Sequence, residues 1–125
     1  MLDGARGAAS TELVITFPVV LLVILLALQF GMYLHAAQIA EAAAQEAVEA
    51  AQAERAVASA GQSAARSLLT QLGALRGPTV RVDRTTTTVT ARVTGRAQQV
   101  VPGFDLDIFA TAEGPVERFV PETPP

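Results

Sequence analysis

The feature that most limits what this chain can become is one uninterrupted apolar run. From Leu13 to Leu34, "LVITFPVVLLVILLALQFGMYL", 22 residues pass without a formal charge. As a helix rising ~1.5 Å per residue the run covers ~33 Å, enough to cross the ~30 Å hydrocarbon core of a bilayer. The chain has 125 residues. About 90 of them remain for anything outside the span, so one small folded domain is the ceiling.

The rest of the composition narrows the chemistry. A formal net charge of −3 offers no footprint for a nucleic acid. There is no cysteine, which excludes disulfides and thiol catalysis. The basic residues are all arginine, so no lysine can serve as a base or nucleophile. The single histidine, His35, would have to carry any Ser-His-Asp arrangement alone, and it lies where the membrane interface should fall. No second His or Cys exists to build a metal site around it. Asp105-x-Asp107 has the opening of a calcium loop but lacks the glycine at the sixth position and the closing glutamate, so both read as solvated strand positions. The sequence is read as a non-enzyme with no cofactor and no metal.

Three readings compete for the segment "RGAASTELVITFPVVLLVILLALQFGMYLH", Arg6 to His35. A cleaved secretory signal needs an apolar stretch of ~7–15 residues and a small-x-small cut site. Here the stretch is longer and runs into "LHAAQIAEAAAQ", which continues as helix. A plain single-span anchor is the second reading. Arg6 and the amino terminus precede the span and the next arginine is Arg55, which places the N-terminus in the cytoplasm and the C-terminal part outside. The third is a cut-and-assemble signal of the prepilin kind: a short leader, a small residue at the cut, and a glutamate five residues on, before an apolar helix. Gly7 is the small residue, Ala8 would become the new N-terminus, and Glu12 is then the fifth residue. Gly4 gives no such match, because Ala9 lies five after it. A carboxylate at the edge of a bilayer is costly to bury. The first turn of a helix favours an acid by ~0.3–1 kcal/mol through the macrodipole. Pairing of Glu12 with the freed amine of a neighbouring subunit's Ala8 is the sharper account.

Within the span, Pro18 removes one helical hydrogen bond and reads either as a tolerated membrane proline or as a flexible point. Gln29 can hydrogen-bond across a helix pair, and Gly31 allows a neighbouring backbone to approach. Tyr33 suits an aromatic belt.

Beyond the span, residues 36–73 are helical by propensity and are expected to continue the membrane helix as one rod of ~60 residues, roughly 90 Å long. Ile39, Ala43, Ala47, Ala50, Val57, Ala64, Leu68 and Leu72 fall within one arc of that helix. Glu41, Gln52, Arg55, Ser59, Gln62 and Arg66 lie opposite, while Glu46 and Glu54 break the pattern. Gly73 ends the helix, and Gly77-Pro78 prevents its resumption.

From Thr79 the period changes to two, with Val80, Val82, Val89, Ala91 and Val93 on one side. Thr85–Thr88 holds a turn or an edge strand. A third strand is expected over Arg96–Val101, a fourth over "FDLDIFATAE" with Leu106 and Ile108 inward, and a short edge strand over Val116–Val120. The expected plan is therefore α+β. It has a leader over 1–7, a transmembrane helix over 8–35, an Ala-rich helix over 36–73, an antiparallel β domain over 79–120 and a disordered tail over 121–125. The sheet, thin alone, needs Val57–Leu72 across one face.

The stretch Arg6 to Ala51 resembles TadE-like proteins, the actinobacterial ones in particular, which are pseudopilins of tight-adherence (Flp-type) pilus systems. The similar features are the "RGA" start, Glu12 before the span, Phe17-Pro18, "QFG" at Gln29–Gly31, "AAAQEA" at Ala42–Ala47 and "GPVERF" at Gly114–Phe119. The chain departs from the general type IV pattern at Ala8 and at Thr11-Glu12-Leu13. The resemblance implies Gly7 as the cleavage position and Glu12 as the assembly glutamate. It implies a prepilin peptidase, other pilins and a membrane assembly platform as partners, at the inner membrane or in a surface pilus.

Overall fold

In the computed structural model, residues 2–53 and 56–117 are described, with side chains from Gly7 onward. Two helices and three strands follow in order: α1 (Leu2–Gln52), α2 (Ala58–Leu72), β1 (Leu75–Arg84), β2 (Thr88–Ala97) and β3 (Asp107–Pro115). The strands form one antiparallel sheet in the order β1-β2-β3. The architecture is α+β: a long N-terminal helix whose C-terminal half carries a small antiparallel sheet.

The helix does not continue as one rod to Gly73. It stops at Gln52, and α2 begins at Ala58 and lies against α1. Local propensity offers no reason for a stop, since the whole stretch is rich in helix formers. The reason is tertiary. Arg84, at the end of β1, reaches the helix terminus and donates from Nε to the Ala51 carbonyl at 2.9 Å and from Nη2 to the Ala53 carbonyl at 3.2 Å. The Glu117 backbone N–H donates to the Gln52 carbonyl at 2.9 Å. The last turn of α1 contains no basic residue. A cation brought in from the sheet thus supplies what helix C-termini favour, donors and positive charge for the final carbonyls.

The break lets both helices serve one core. Ala36, Ala40, Ala43, Ala44, Ala47 and Ala51 of α1 are fully buried, beside Ile39 and Val48. Alanine faces bury little area but allow close approach, and α2 uses this. Its buried stripe is Gly61, Ala65 and Leu69, one residue off the Ala64–Leu68–Leu72 set expected for a continuous helix. Val57 and Leu72 stay exposed. Gly61 sits on the α1 backbone so closely that a Cβ there would stand 2.5 Å from the Ala47 carbonyl oxygen. Gly73 ends α2 in the left-handed conformation, φ 61°, donating to Leu69.

The sheet meets the helices through its alternating face. Val80, Val82, Val89, Ala91, Val93 and Ile108 are buried, as the period of two requires. Both helices cover this face, α1 over β2 and β3 and α2 over β1, rather than the Val57–Leu72 stretch alone. Strand β1 starts at Leu75, earlier than Thr79. Gly77-Pro78 is absorbed as a bulge between Arg76 and Thr79. Thr85–Thr88 is the hairpin turn, closed by the Thr85 N–H donating to the Thr88 carbonyl at 2.8 Å.

The expected strand over Arg96–Val101 does not form. Arg96 and Ala97 complete β2, and the chain then leaves the sheet because its next backbone groups bond to a side chain of α1 instead of a strand. Strand β3 begins at Asp107, with Leu106 half-buried just before it. Val116 and Glu117 lie beyond β3 outside any strand. The rest of the expected edge strand, the tail, and the pattern-breaking Glu54 with Arg55 lie outside the described residues.

Candidate functional site

The residues singled out for cleavage and assembly occupy the first turns of α1. Gly7 and Ala8 are exposed, and a side chain at Gly7 would meet nothing within 4 Å. The backbone is helical from Leu2 through both of them. One contact bears directly on the bond between them. The Thr11 hydroxyl donates to the Gly7 carbonyl oxygen at 2.9 Å, a back-bond of the i to i−4 kind. Thr11 was not singled out from the sequence; only its place four residues after a suspected cut could have drawn attention to it.

Glu12 is exposed on the next turn, and no ion pair forms to it among the described side chains. Directly above it begins a wholly exposed apolar surface: Leu13, Val14, Ile15 and Phe17 are each more than 60% exposed. Pro18 lies within α1, which runs through it without interruption. The helix is long and apolar enough to cross a membrane.

The polar residue of the span, Gln29, is used within the chain. It is 2% exposed. Its Nε2 donates to the Gln98 carbonyl at 3.0 Å, and its Oε1 accepts from the Val100 and Val101 backbone N–H groups at 2.7 and 3.0 Å. The amide that could have bridged two helices is therefore committed to the 98–101 loop of its own chain. Gly31 stays open: a side chain at this position would meet nothing within 4 Å. Tyr33 is half-buried against the core, and His35 is exposed.

Asp105 and Asp107 are exposed, as expected, but they are held by arginines. Arg76 reaches Asp105 at 3.0 Å, and Arg96 reaches Asp105 at 3.2 Å and Asp107 at 3.7 Å. Arg76 also donates from Nε to the Ala97 carbonyl at 3.1 Å. Exposed pairs of this kind contribute little singly, ~0–1 kcal/mol, but this cluster ties together both ends of the 98–106 loop. Among the described residues, no group of three or more His, Cys, Asp or Glu side chains could hold a metal ion.

The molecule therefore has an exposed polar segment, Gly7–Glu12, at the start of a helix long and apolar enough to cross a membrane, with a small domain on the helix's other half. Residues 7–49 match the family model described as TadE-like protein, a segment that begins at Gly7 and includes Glu12, Pro18, Gln29 and Gly31. No curated protein and no solved structure matches the chain. The likeness to TadE-like proteins thus lies in this N-terminal segment, carried on a helix long and apolar enough to cross a membrane.

Proposed function

We propose that this chain is a minor pilin or pseudopilin, cut after Gly7 by a prepilin peptidase and taking part in assembly of a tight-adherence pilus. The observation that carries the reading is the placement of Glu12. It is a carboxylate with no ion pair among the described side chains, five residues after Gly7, at the foot of an exposed apolar helix inside the TadE-like segment. Once Ala8 is the N-terminus, its amine carries a positive charge at the same membrane edge. Glu12 of one subunit and the Ala8 amine of the next then neutralise each other where either alone is costly to draw into hydrocarbon. The role is structural: the chain supplies a helix for packing and a small domain for the outside, and catalyses no reaction. The N-terminus is cytoplasmic and the domain extracytoplasmic, at the inner membrane or in the fibre that leaves it. Other pilins and the membrane platform of the pilus are its partners.

A second reading is an uncleaved single-pass anchor holding a small β-rich binding module. The helical backbone through Gly7-Ala8 favours it, since a peptidase must first unwind that turn. Glu12→Ala separates the two. Under the first reading the variant is cut normally, but far less of it is recovered with pilus components. Undiminished recovery would show that the amine–carboxylate pairing is wrong.

A further inference from the structure

The folded domain reaches further down α1 than the apolar run implies. Its lowest part is the loop Gln98–Phe104, "QQVVPGF", bonded to Gln29 through three hydrogen bonds. One helical turn below Gln29 is Leu25, the single residue between 7 and 28 that is not exposed. The loop tip is apolar and open: Pro102 is exposed and Phe104 is 44% exposed.

This placement shortens the part of α1 that lipid can surround. The stretch below the domain, Leu13–Leu28, covers only ~24 Å at ~1.5 Å per residue. A hydrocarbon core of ~30 Å exceeds it by roughly 6 Å. The deficit can be met at either end. At the N-terminal end it would draw in the Glu12 carboxylate, which hydrocarbon strongly disfavours. At the other end it draws in Val100, Val101, Pro102 and Phe104, whose transfer from water is favourable. With Glu12 at one edge of the core, the other edge falls near Met32. The loop at the level of Leu25 to Gln29 then lies roughly 5–10 Å inside it, the depth typical of interfacial apolar elements.

A loop enters that layer at lower cost the more of its backbone groups are satisfied within the protein. Here the Val100 and Val101 N–H groups and the Gln98 carbonyl are taken by Gln29. The Phe104 N–H donates to the Val101 carbonyl at 3.2 Å, and Pro102 has no N–H. We propose that the 98–104 loop is a second membrane-contacting element, inserting Val101, Pro102 and Phe104 into the leaflet on the domain's side, beside the span. Gln29 is the residue that fixes its depth. The inference rests on α1 crossing a bilayer.

The chain contains no tryptophan, so one can be placed at will. Full-length Phe104→Trp, Phe17→Trp and Phe109→Trp variants are reconstituted at low protein density in vesicles whose lipids carry bromine high or low on the acyl chain. Phe109, 77% exposed on the sheet, is the solvent reference. The expected result is blue-shifted Phe104→Trp emission that loses most of its intensity to the high bromine. Phe17→Trp is quenched as well, and Phe109→Trp is not quenched. Quenching at Phe17→Trp without quenching at Phe104→Trp overturns the loop insertion and leaves the span intact. Blue-shifted but unquenched Phe104→Trp emission overturns it in favour of a protein neighbour over the loop. No quenching at Phe17→Trp overturns the membrane span, and this inference with it.

Discussion

Gln29 and Val101 lie 72 positions apart in the chain, yet the Val101 backbone N–H donates to the Gln29 side-chain oxygen at 3.0 Å. This bond and its two companions are what join the apolar helix to the lower end of the sheet domain. They hold the 98–101 loop against the apolar half of α1, while the buried alanine face of α1 carries the rest of the sheet.

Gln29→Leu is therefore expected to release the loop without unfolding the sheet. It leaves two N–H groups and one carbonyl without partners, and each buried orphan costs ~1–3 kcal/mol. Hydrogen exchange of the Val100 and Val101 amides should accelerate about tenfold or more, the equivalent of ~1.4 kcal/mol. Exchange within β2 should stay as it is. Unchanged protection at Val100 and Val101 would show that the loop is held by other contacts.

Gly61→Ala should reverse the usual sign of its substitution class. In an exposed helix the change gains ~0.8–1 kcal/mol. Here the new methyl would meet the Ala47 carbonyl oxygen at 2.5 Å and the Ala51 Cβ at 3.1 Å. Neither can yield without moving α1, so a loss of ~1–3 kcal/mol is expected. Thermal melts of the detergent-solubilised chain should show it. Ser63→Ala, on the exposed side of α2, should stay within ~0.5 kcal/mol. A higher melting temperature for Gly61→Ala would contradict the close helix packing.

Arg84→Met keeps the aliphatic stem and removes the donors to Ala51 and Ala53. Hydrogen bonds from a charged donor are worth ~1.5–3 kcal/mol, so a destabilisation of that order is expected. The segment between α1 and α2 should become the preferred site of limited proteolysis. Arg84→Lys should recover only part of the loss, because one ammonium cannot reproduce the forked geometry. Full recovery with lysine would reduce the role of Arg84 to charge alone.

Thr11→Val removes the hydroxyl that holds the Gly7 carbonyl. Freed from that bond the first turn unwinds more readily, so processing at Gly7 should proceed as fast as in the parent chain or up to ~10-fold faster, the scale of one exposed hydrogen bond. Pulse-chase labelling measures it. A marked slowdown would mean that the peptidase itself reads Thr11.

The sheet core was legible because alternation is a local property. Val80, Val82, Val89, Ala91 and Val93 announce their shared face without knowledge of anything else in the fold. Ile39, Ala43 and Ala47 were legible for the same reason on the helix. The stop at Gln52 was not, because it depends on Arg84 arriving from the sheet and on Gly61 admitting α2 onto Ala47. A wheel carried across that break assigns Leu68 and Leu72 where the structure buries Leu69. Arg96–Val101 misled in the same way: its end bonds to Gln29 and not to a strand. At the N-terminus, spacing alone pointed to Gly7 and Glu12, while the Thr11 contact needed the helix to be built first.

The measurement that tests the account most directly is the N-terminal residue of the membrane-extracted protein, by intact mass and N-terminal peptide mapping. The account predicts a chain that begins at Ala8. A chain still carrying Met1 or Leu2 would contradict it. The apolar helix would then be a plain anchor, and the outer domain would be the place to look for function.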